Sequence, residues 1–177
     1  MEKKFLQTPS QTVGPYFAYG LTPEQYGYDF KSLVANELIS PLHPEAIIVK
    51  GRVLDGNGEV IPDAMVELWH KDNEQEGFGR FGTGTLPGNE YLFYALKPQS
   101  VDCNAPYFSL IVFMRGQLIH SYTRIYFADE ESLNEKDSVL NQIPEDRRNT
   151  LIASKTGNVY QFDVHMQGDN ETVFFEV

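Results

Sequence analysis

From residue 47 onward, apolar and polar residues alternate in short runs, with Gly, Pro, Asn and Asp between the runs. Alternation with a period of two is typical of strands that bury one face, and the residues between the runs favour tight turns. Strands are predicted at residues 47–54, 65–69, 90–95, 108–115, 123–127, 160–167 and 172–176. This series indicates an all-β protein built as an antiparallel sandwich or barrel.

One helix is predicted among the strands, at residues 144–153. Pro144 suits the first helical position, and Glu145 and Asp146 place negative charge in the first turn, where the helix dipole favours it. Residues 137–141 are expected to lead into this helix as a short helical turn.

The first 45 residues follow a different pattern, because Gly and Pro recur too often there for a long helix or strand. Six aromatic side chains lie between these breaks, and solvated tails are poor in aromatics. They are Tyr16, Phe17, Tyr19, Tyr26, Tyr28 and Phe30. We therefore expect an extended arm that buries its rings against its own body or another chain. Thr22 and Pro23 are expected to start a short helix.

The chain has 177 residues, 41% of them apolar, which suits one folded domain with a sizeable core. The expected division is an arm at residues 1–45 and a β-sandwich core at residues 46–177. The net charge of −11 disfavours binding to nucleic acid or to an anionic membrane surface.

Cys103 is the single cysteine, so no disulfide within the chain is possible, which fits a reducing compartment. The first residues contain no apolar stretch that reads as a signal peptide, and no run is long enough for a membrane-spanning helix. We expect a soluble cytoplasmic protein.

The four histidines give no metal-binding spacing, since none forms a His-x-His or His-x-x-x-His pair. They are His43, His70, His120 and His165. From spacing alone, no metal site is predicted in this chain. Trp69, Phe93, Phe113, Phe127 and Phe162 are interpreted as core residues.

Three segments in succession, at residues 51–72, 78–83 and 91–98, resemble the intradiol ring-cleaving dioxygenases. The resemblance implies a β-sandwich and O2-dependent cleavage of catechols on a non-haem Fe(III). Family members hold this iron with two Tyr and two His, and none of the four is present here. The two His positions fall at Tyr107 and Ser109, and the loop for one Tyr has shrunk to residues 73–77.

Residues 8–16 resemble the opening of both subunit types of the two-subunit members of that family, and residues 113–127 and 160–175 resemble their iron-free, α-type subunit. The resemblance implies a sister β subunit that binds Fe(III), with a catechol and O2 bound at the interface of the two subunits. It places no catalytic residue and no metal ligand in this chain. The substrate-binding candidates that it implies are Thr12, Gly14, Pro15, Tyr16 and Arg124.

Each of these candidates has a chemical rationale. Gly14 permits close backbone approach and Pro15 stiffens the segment, while the Arg124 guanidinium suits a carboxylate or a catecholate oxygen. The alternative for the first four is a turn that anchors the arm, and for Arg124 an ordinary ion pair on a strand. Arg80 is expected to hold loop carbonyls or a carboxylate.

Two other functions remain open from the sequence. The first is a self-sufficient metalloenzyme with dispersed ligands such as His70, His120, His165 and Tyr91, which a coloured isolated chain would support. The second is a non-catalytic scaffold or binding module derived from the family, which predicts that no iron-binding sister chain accompanies this one.

Overall fold

The computed structural model describes residues 18–102 and 104–176. Ten strands lie within these ranges. They are β1 (Ile47–Gly51), β2 (Val53–Leu54), β3 (Met65–Lys71), β4 (Glu76–Gly82), β5 (Tyr91–Ala95), β6 (Tyr107–Phe113), β7 (Ser121–Phe127), β8 (Ile152–Thr156), β9 (Val159–Gln161) and β10 (Val164–His165). Between β7 and β8 lie two four-residue helices, α1 (Glu131–Asn134) and α2 (Glu145–Arg148).

Eight strands form one sheet in the order β4-β3-β6-β7-β8-β9-β1-β5, and β2 pairs separately with β10. The end strands β4 and β5 contact each other, so the sheet folds over and nearly closes around a single core. The predicted all-β sandwich is confirmed.

The sheet is mixed rather than antiparallel, so that part of the expectation is wrong. β7 and β8 are parallel, as are β1 with β9 and β2 with β10. The connection after β7 explains the first of these pairings. It runs through both helices before β8 begins, and a crossover of that length can bring the next strand back in the same direction.

The core consists of the inward-facing residues of the strands. These are roughly every second residue along each strand, as the period-two pattern predicted. Its fully buried large side chains include Tyr91, Phe93, Phe108, Leu110, Ile125, Phe127 and Tyr160. Phe162 is also buried and Phe113 is half-buried. Trp69 is 37% exposed, so its assignment to the core is wrong. Val66, Leu68 and His70 are buried on the inner face of β3, and alternation turns Trp69 outward.

Several element boundaries differ from the prediction. The helix expected at residues 144–153 ends its α-helical part at Arg148, and Ile152 already begins β8, where it pairs with Tyr126. The long strand expected at residues 47–54 is split, because the N–H of Arg52 bonds to the Asp163 carboxylate at 2.9 Å instead of to a neighbouring strand. Residues 172–176 contribute only an isolated bridge, between Phe175 and Tyr122.

Part of the arm packs on the chain's own body. The 3-10 helix Pro23–Tyr26 follows Thr22 at the N-cap position as expected, but the Thr22 hydroxyl donates to the Ala18 carbonyl and makes no cap bond. Residues 35–39 run between the two end strands. The N–H of Arg80 in β4 bonds to Ala35, and the N–H of Leu38 bonds to Tyr94 in β5. The arm therefore covers two strand edges that would otherwise lack partners. Within the described residues, no helix is long and apolar enough to cross a bilayer.

Candidate functional site

The outward-facing residues of β3, β6 and β7 form a surface that we call the outer face, defined by Trp69, Tyr107, Ser109, Tyr122 and Arg124. Strand register brings them together. Ser109 lies opposite Trp69 on one side and opposite Arg124 on the other. The resemblance to the dioxygenases placed the iron-binding histidines at two of these positions, so the outer face is where the family's chemistry is expected.

Arg124 is held against aromatic side chains. Its guanidinium carbon lies 4.1 Å from the centroid of the Tyr107 ring and 5.8 Å from that of Phe175. One Nη1–H donates to the Tyr126 hydroxyl at 3.2 Å, and Nε is buried without an acceptor among the described residues. Burial acts to lower the pKa of Arg124, but the hydrogen bond and the neighbouring tyrosines raise it on balance. The side chain is a fixed positive charge.

Tyr126 links Arg124 to a buried carboxylate. Its hydroxyl donates to Oδ1 of Asp137 at 3.2 Å, and Asp137 has no exposed surface. Oδ1 also accepts the N–H groups of Val139 and Leu140, and Oδ2 accepts that of Ala105. Burial raises the pKa of Tyr126, so this tyrosine stays protonated. These bonds form a continuous chain from the interior to the outer face.

Two cavities open beside the outer face, one of about 300 Å³ and one of about 420 Å³. The smaller is lined by Trp69, His70, Lys71, Asp72, Asn73, Val101, Tyr107 and Ser109. The larger is lined by Trp69, Phe78, Ser109, Ile111, His120 and Tyr122. Trp69 and Ser109 border both, and the Ser109 and Tyr122 hydroxyls share a hydrogen bond of 3.0 Å.

The loop that follows Trp69 is shorter than expected. The sequence suggested a loop at residues 73–77, but Glu76 and Gly77 already pair with Lys71 and His70 as part of β4. The remaining hairpin turns around Asp72, whose Oδ1 accepts the N–H groups of Glu74 and Gln75 at 2.8 Å. A glycine-containing segment can pair in this way because Gly77 leaves room for the His70 ring, whose Nε2 would lie 2.6 Å from an added Cβ.

The residues at the expected iron position do not fit a ferric ion. Tyr107 faces a guanidinium, and the Ser109 hydroxyl is a weak, neutral donor, whereas Fe(III) needs anionic or imidazole ligands. Residues 18–102 and 104–176 contain no group of three or more His, Cys, Asp or Glu side chains placed to hold a metal ion. The dispersed set His70, His120, His165 and Tyr91 is not brought together as a ligand group. Tyr91 is fully buried, and its hydroxyl donates to the Phe162 carbonyl.

Of the predicted site residues, the structure describes Arg124 and places it on the outer face. Thr12, Gly14, Pro15 and Tyr16 lie outside the described residues. The expected role of Arg80 in holding a carboxylate is confirmed, since its Nη2 lies 2.6 Å from Glu67. Tyr126 was not predicted as a site residue, although it lies two residues after Arg124 on a strand and therefore shares its face.

The fold is that of solved intradiol ring-cleaving dioxygenases. The structure of an intradiol ring-cleavage dioxygenase from Tetranychus urticae superposes with a TM-score of 0.60, covering 81% of this chain and 93% of that one. The two sequences are 13% identical, so this likeness concerns the fold alone. The observed fold therefore agrees with the fold that the sequence motifs imply.

Two curated relatives of higher sequence identity show which family the chain belongs to. The protocatechuate 3,4-dioxygenase alpha chain of Burkholderia cepacia is 44% identical over 192 aligned positions, which cover 97% of this chain and 98% of that protein. The corresponding alpha chain of Pseudomonas putida is 38% identical, with 96% of both chains covered. No family model matches the sequence. The chain belongs to the protocatechuate 3,4-dioxygenase alpha chains, and it is a subunit of an intradiol ring-cleaving oxidoreductase.

Proposed function

We propose that this chain is the α subunit of a protocatechuate 3,4-dioxygenase and that a β subunit supplies the Fe(III). The relatives' names support a two-subunit enzyme, because both are alpha chains. The composition of the outer face supports an iron site located elsewhere, since a guanidinium stacks on one expected ligand position. On this proposal the chain alone has no ring-cleaving activity.

The reaction inserts both atoms of O2 into protocatechuate and yields 3-carboxy-cis,cis-muconate, a step of aromatic catabolism in the β-ketoadipate pathway. The iron of the β subunit would bind the catechol oxygens and direct the attack of O2. This chain would form part of the pocket wall, and its own residues would bind and orient the substrate.

Arg124 is the residue of this chain that most strongly supports the proposal. It is a half-buried cation with a pKa raised above its usual value, and two aromatic rings restrict its position. A guanidinium in such surroundings attracts a carboxylate more strongly than it would in bulk water. Protocatechuate differs from catechol by one carboxylate, so Arg124 provides a contact that selects for it.

The amino-terminal arm would complete the same pocket from this subunit. We propose residues 1–45 as an interface arm attached to the sandwich core at residues 46–177. Thr12, Gly14, Pro15 and Tyr16 would line the substrate site of the β subunit. The Gly-Pro pair supports this role because it permits close approach and limits the entropy lost on ordering.

The surroundings proposed for the complex are cytoplasmic. One cysteine and a net charge of −11 support a reducing compartment and no association with nucleic acid or membranes. The partners proposed for this chain are therefore the β subunit and a small catechol substrate.

Co-expression with the sister chain tests the proposal. We expect the two chains to co-purify, the pair to be coloured and to contain iron, and O2 to be consumed when protocatechuate is added. A pair that contains no iron and consumes no O2 would contradict the proposal and favour a scaffold role. As a control, each chain is expressed and assayed separately.

A further inference from the structure

The geometry points to Tyr126 and Tyr107 as positioning residues that fix the Arg124 guanidinium for a substrate carboxylate. This inference rests on the proposed function, in which Arg124 contacts the substrate. It goes further by assigning the selectivity for the carboxylate to three side chains rather than to one.

The positioning begins in the interior at Asp137. Its carboxylate is fully buried and accepts three backbone N–H groups in addition to the Tyr126 hydroxyl. A carboxylate held by so many fixed donors cannot follow a moving partner. Because Tyr126 donates its only O–H to Asp137, the lone pairs of its oxygen are left to accept from Arg124. The direction of both hydrogen bonds is thereby determined.

The second support is the ring of Tyr107. It lies opposite Tyr126 in the strand register, with 5.8 Å between the two ring centroids. The Arg124 guanidinium carbon is 4.1 Å from the Tyr107 centroid, which is contact distance for a cation on the face of a ring. Tyr126 thus holds one end of the guanidinium through Nη1, while Tyr107 restricts its plane.

A guanidinium held at two points has consequences for binding. An unrestrained arginine loses considerable rotamer freedom when a ligand orders it, and this loss weakens binding. Here the protein has already ordered the group before the ligand arrives. Paired hydrogen bonds to a carboxylate also require a defined plane, which the Tyr107 ring provides. A catechol without a carboxylate would gain nothing from this arrangement.

The test compares substitutions in the complete complex with the sister subunit. Tyr126→Phe removes the hydroxyl that holds Nη1 and retains the ring. We expect the KM for protocatechuate to rise about tenfold, while kcat changes by less than about twofold. The dissociation constant for catechol, measured from the change in visible absorbance, is expected to stay within about twofold. Iron content is expected to be unchanged.

Tyr160→Phe is the matched control, because Tyr160 is also buried and its hydroxyl also bonds to a carboxylate, that of Asp129. This variant should leave the KM for protocatechuate unchanged. Tyr107 provides a second pair of variants that does not depend on the buried bond. Tyr107→Leu is expected to raise the KM, and Tyr107→Phe, which retains the ring face, is expected to restore it.

Arg124→Ala tests the contact between Arg124 and the substrate, whereas Tyr126→Phe tests the positioning of Arg124. If this variant and Tyr126→Phe both raise the KM for protocatechuate but not the dissociation constant for catechol, the inference is supported. If Arg124→Ala raises the KM and Tyr126→Phe does not, the positioning role is wrong although the proposed contact stands. If Arg124→Ala has no effect, the proposed contact is wrong and the inference is wrong with it. Equal weakening for both ligands in Tyr126→Phe would also overturn it.

Discussion

The carboxylate of Asp72 accepts the backbone N–H of Gln99 at 2.9 Å and so joins two loops that are 27 positions apart in the sequence. The same side chain accepts the N–H groups of Glu74 and Gln75 and closes the β3–β4 hairpin. Gln99 in turn donates through Nε2 to Glu74 at 2.8 Å. In the family resemblance these two loops are the ones that carry the tyrosine ligands, and here they are bonded to each other.

Replacing Asp72 is expected to destabilise the chain. Burial acts to raise the pKa of Asp72, but the three N–H groups favour its charged form and lower the pKa on balance. Asp72→Ala would leave these donors without an acceptor, at a loss of about 2–3 kcal/mol in the free energy of unfolding. Urea denaturation at neutral pH measures the change. Asp55→Ala removes a similar acceptor from an exposed turn and should lose less than about 1 kcal/mol. Equal losses in the two variants would contradict this interpretation.

Gly51 at the end of β1 cannot accept a side chain. A Cβ built there would lie 1.7 Å from the Phe162 carbonyl oxygen, which is itself fixed by the Tyr91 hydroxyl. Gly51→Ala therefore forces the backbone apart, and we expect a loss of about 3 kcal/mol or more. Gly20→Ala is the control, since a Cβ added at Gly20 would meet no atom within 4 Å and the residue has no positive φ. It should change the unfolding free energy by less than about 1 kcal/mol. A tolerated Gly51→Ala would show that β1 and Phe162 are not so close.

Asp129 is expected to make the free energy of unfolding depend on pH, in a direction that follows from its lowered pKa. It accepts hydrogen bonds from Lys155, Lys97 and Tyr160, which hold its pKa at about 2 although burial acts to raise it. Because the folded-state pKa lies below the unfolded value, the stabilisation is complete above about pH 4 and is lost as the pH falls toward 2. We expect Asp129→Asn to cost about 1 kcal/mol at neutral pH, and the difference from the parent chain to shrink in acid.

The effect of Asp129 is measured by urea unfolding of the parent chain and of Asp129→Asn, from neutral to acidic pH. The matched control is Glu76→Gln, which breaks the exposed ion pair of Glu76 with Lys71. That substitution is expected to change the unfolding free energy by less than about 0.5 kcal/mol at every pH. A difference for Asp129→Asn that grows as the pH falls would contradict the expected sign.

Residues 1–17, the first part of the amino-terminal arm, are expected to contribute to assembly with the sister subunit. Deleting residues 1–17 leaves intact the contacts that residues 18–39 make with β4 and β5, and also the bond to Gln25 from the N–H of Gly84, which follows β4. The truncated chain should associate less strongly with the sister subunit than the full-length chain does. Gel filtration of the co-expressed pair measures the association. An unchanged complex size would count against an interface arm.

Sequence patterns predicted the core strands because one face of each is buried. The alternation in residues 65–69 and 91–95 is clear, and both segments are strands. β4 was not predicted, because its glycines and exposed residues give no alternation and it is stabilised by pairing with β3 over its whole length. The first two residues of β8 overlap the helix predicted at residues 144–153. Ile152 and Ala153 pair there with Tyr126 and Phe127, a contact between distant parts of the chain that local propensity cannot indicate.

The only residues of the candidate site that could be predicted were those that lie in a motif resembling the family. Arg124 was identified by resemblance, and the structure places it on the outer face. The hydrogen bonds that hold it were not predictable, because Asp137 reaches Tyr126 through the packing of the segment that follows β7. Trp69 was assigned to the core from its hydrophobicity alone. Its exposure depends on which residues of β3 face inward, and a shift of one residue in that alternation would have buried it.

The central claim is that this chain takes part in ring cleavage without holding the iron itself. The most direct test is the iron content, visible spectrum and O2 uptake of the purified chain alone, after exposure to iron and with protocatechuate added. We predict a colourless chain with substoichiometric iron and no O2 uptake, whereas the pair with its sister subunit is coloured and active. A chain that binds iron stoichiometrically on its own and cleaves a catechol would contradict the claim.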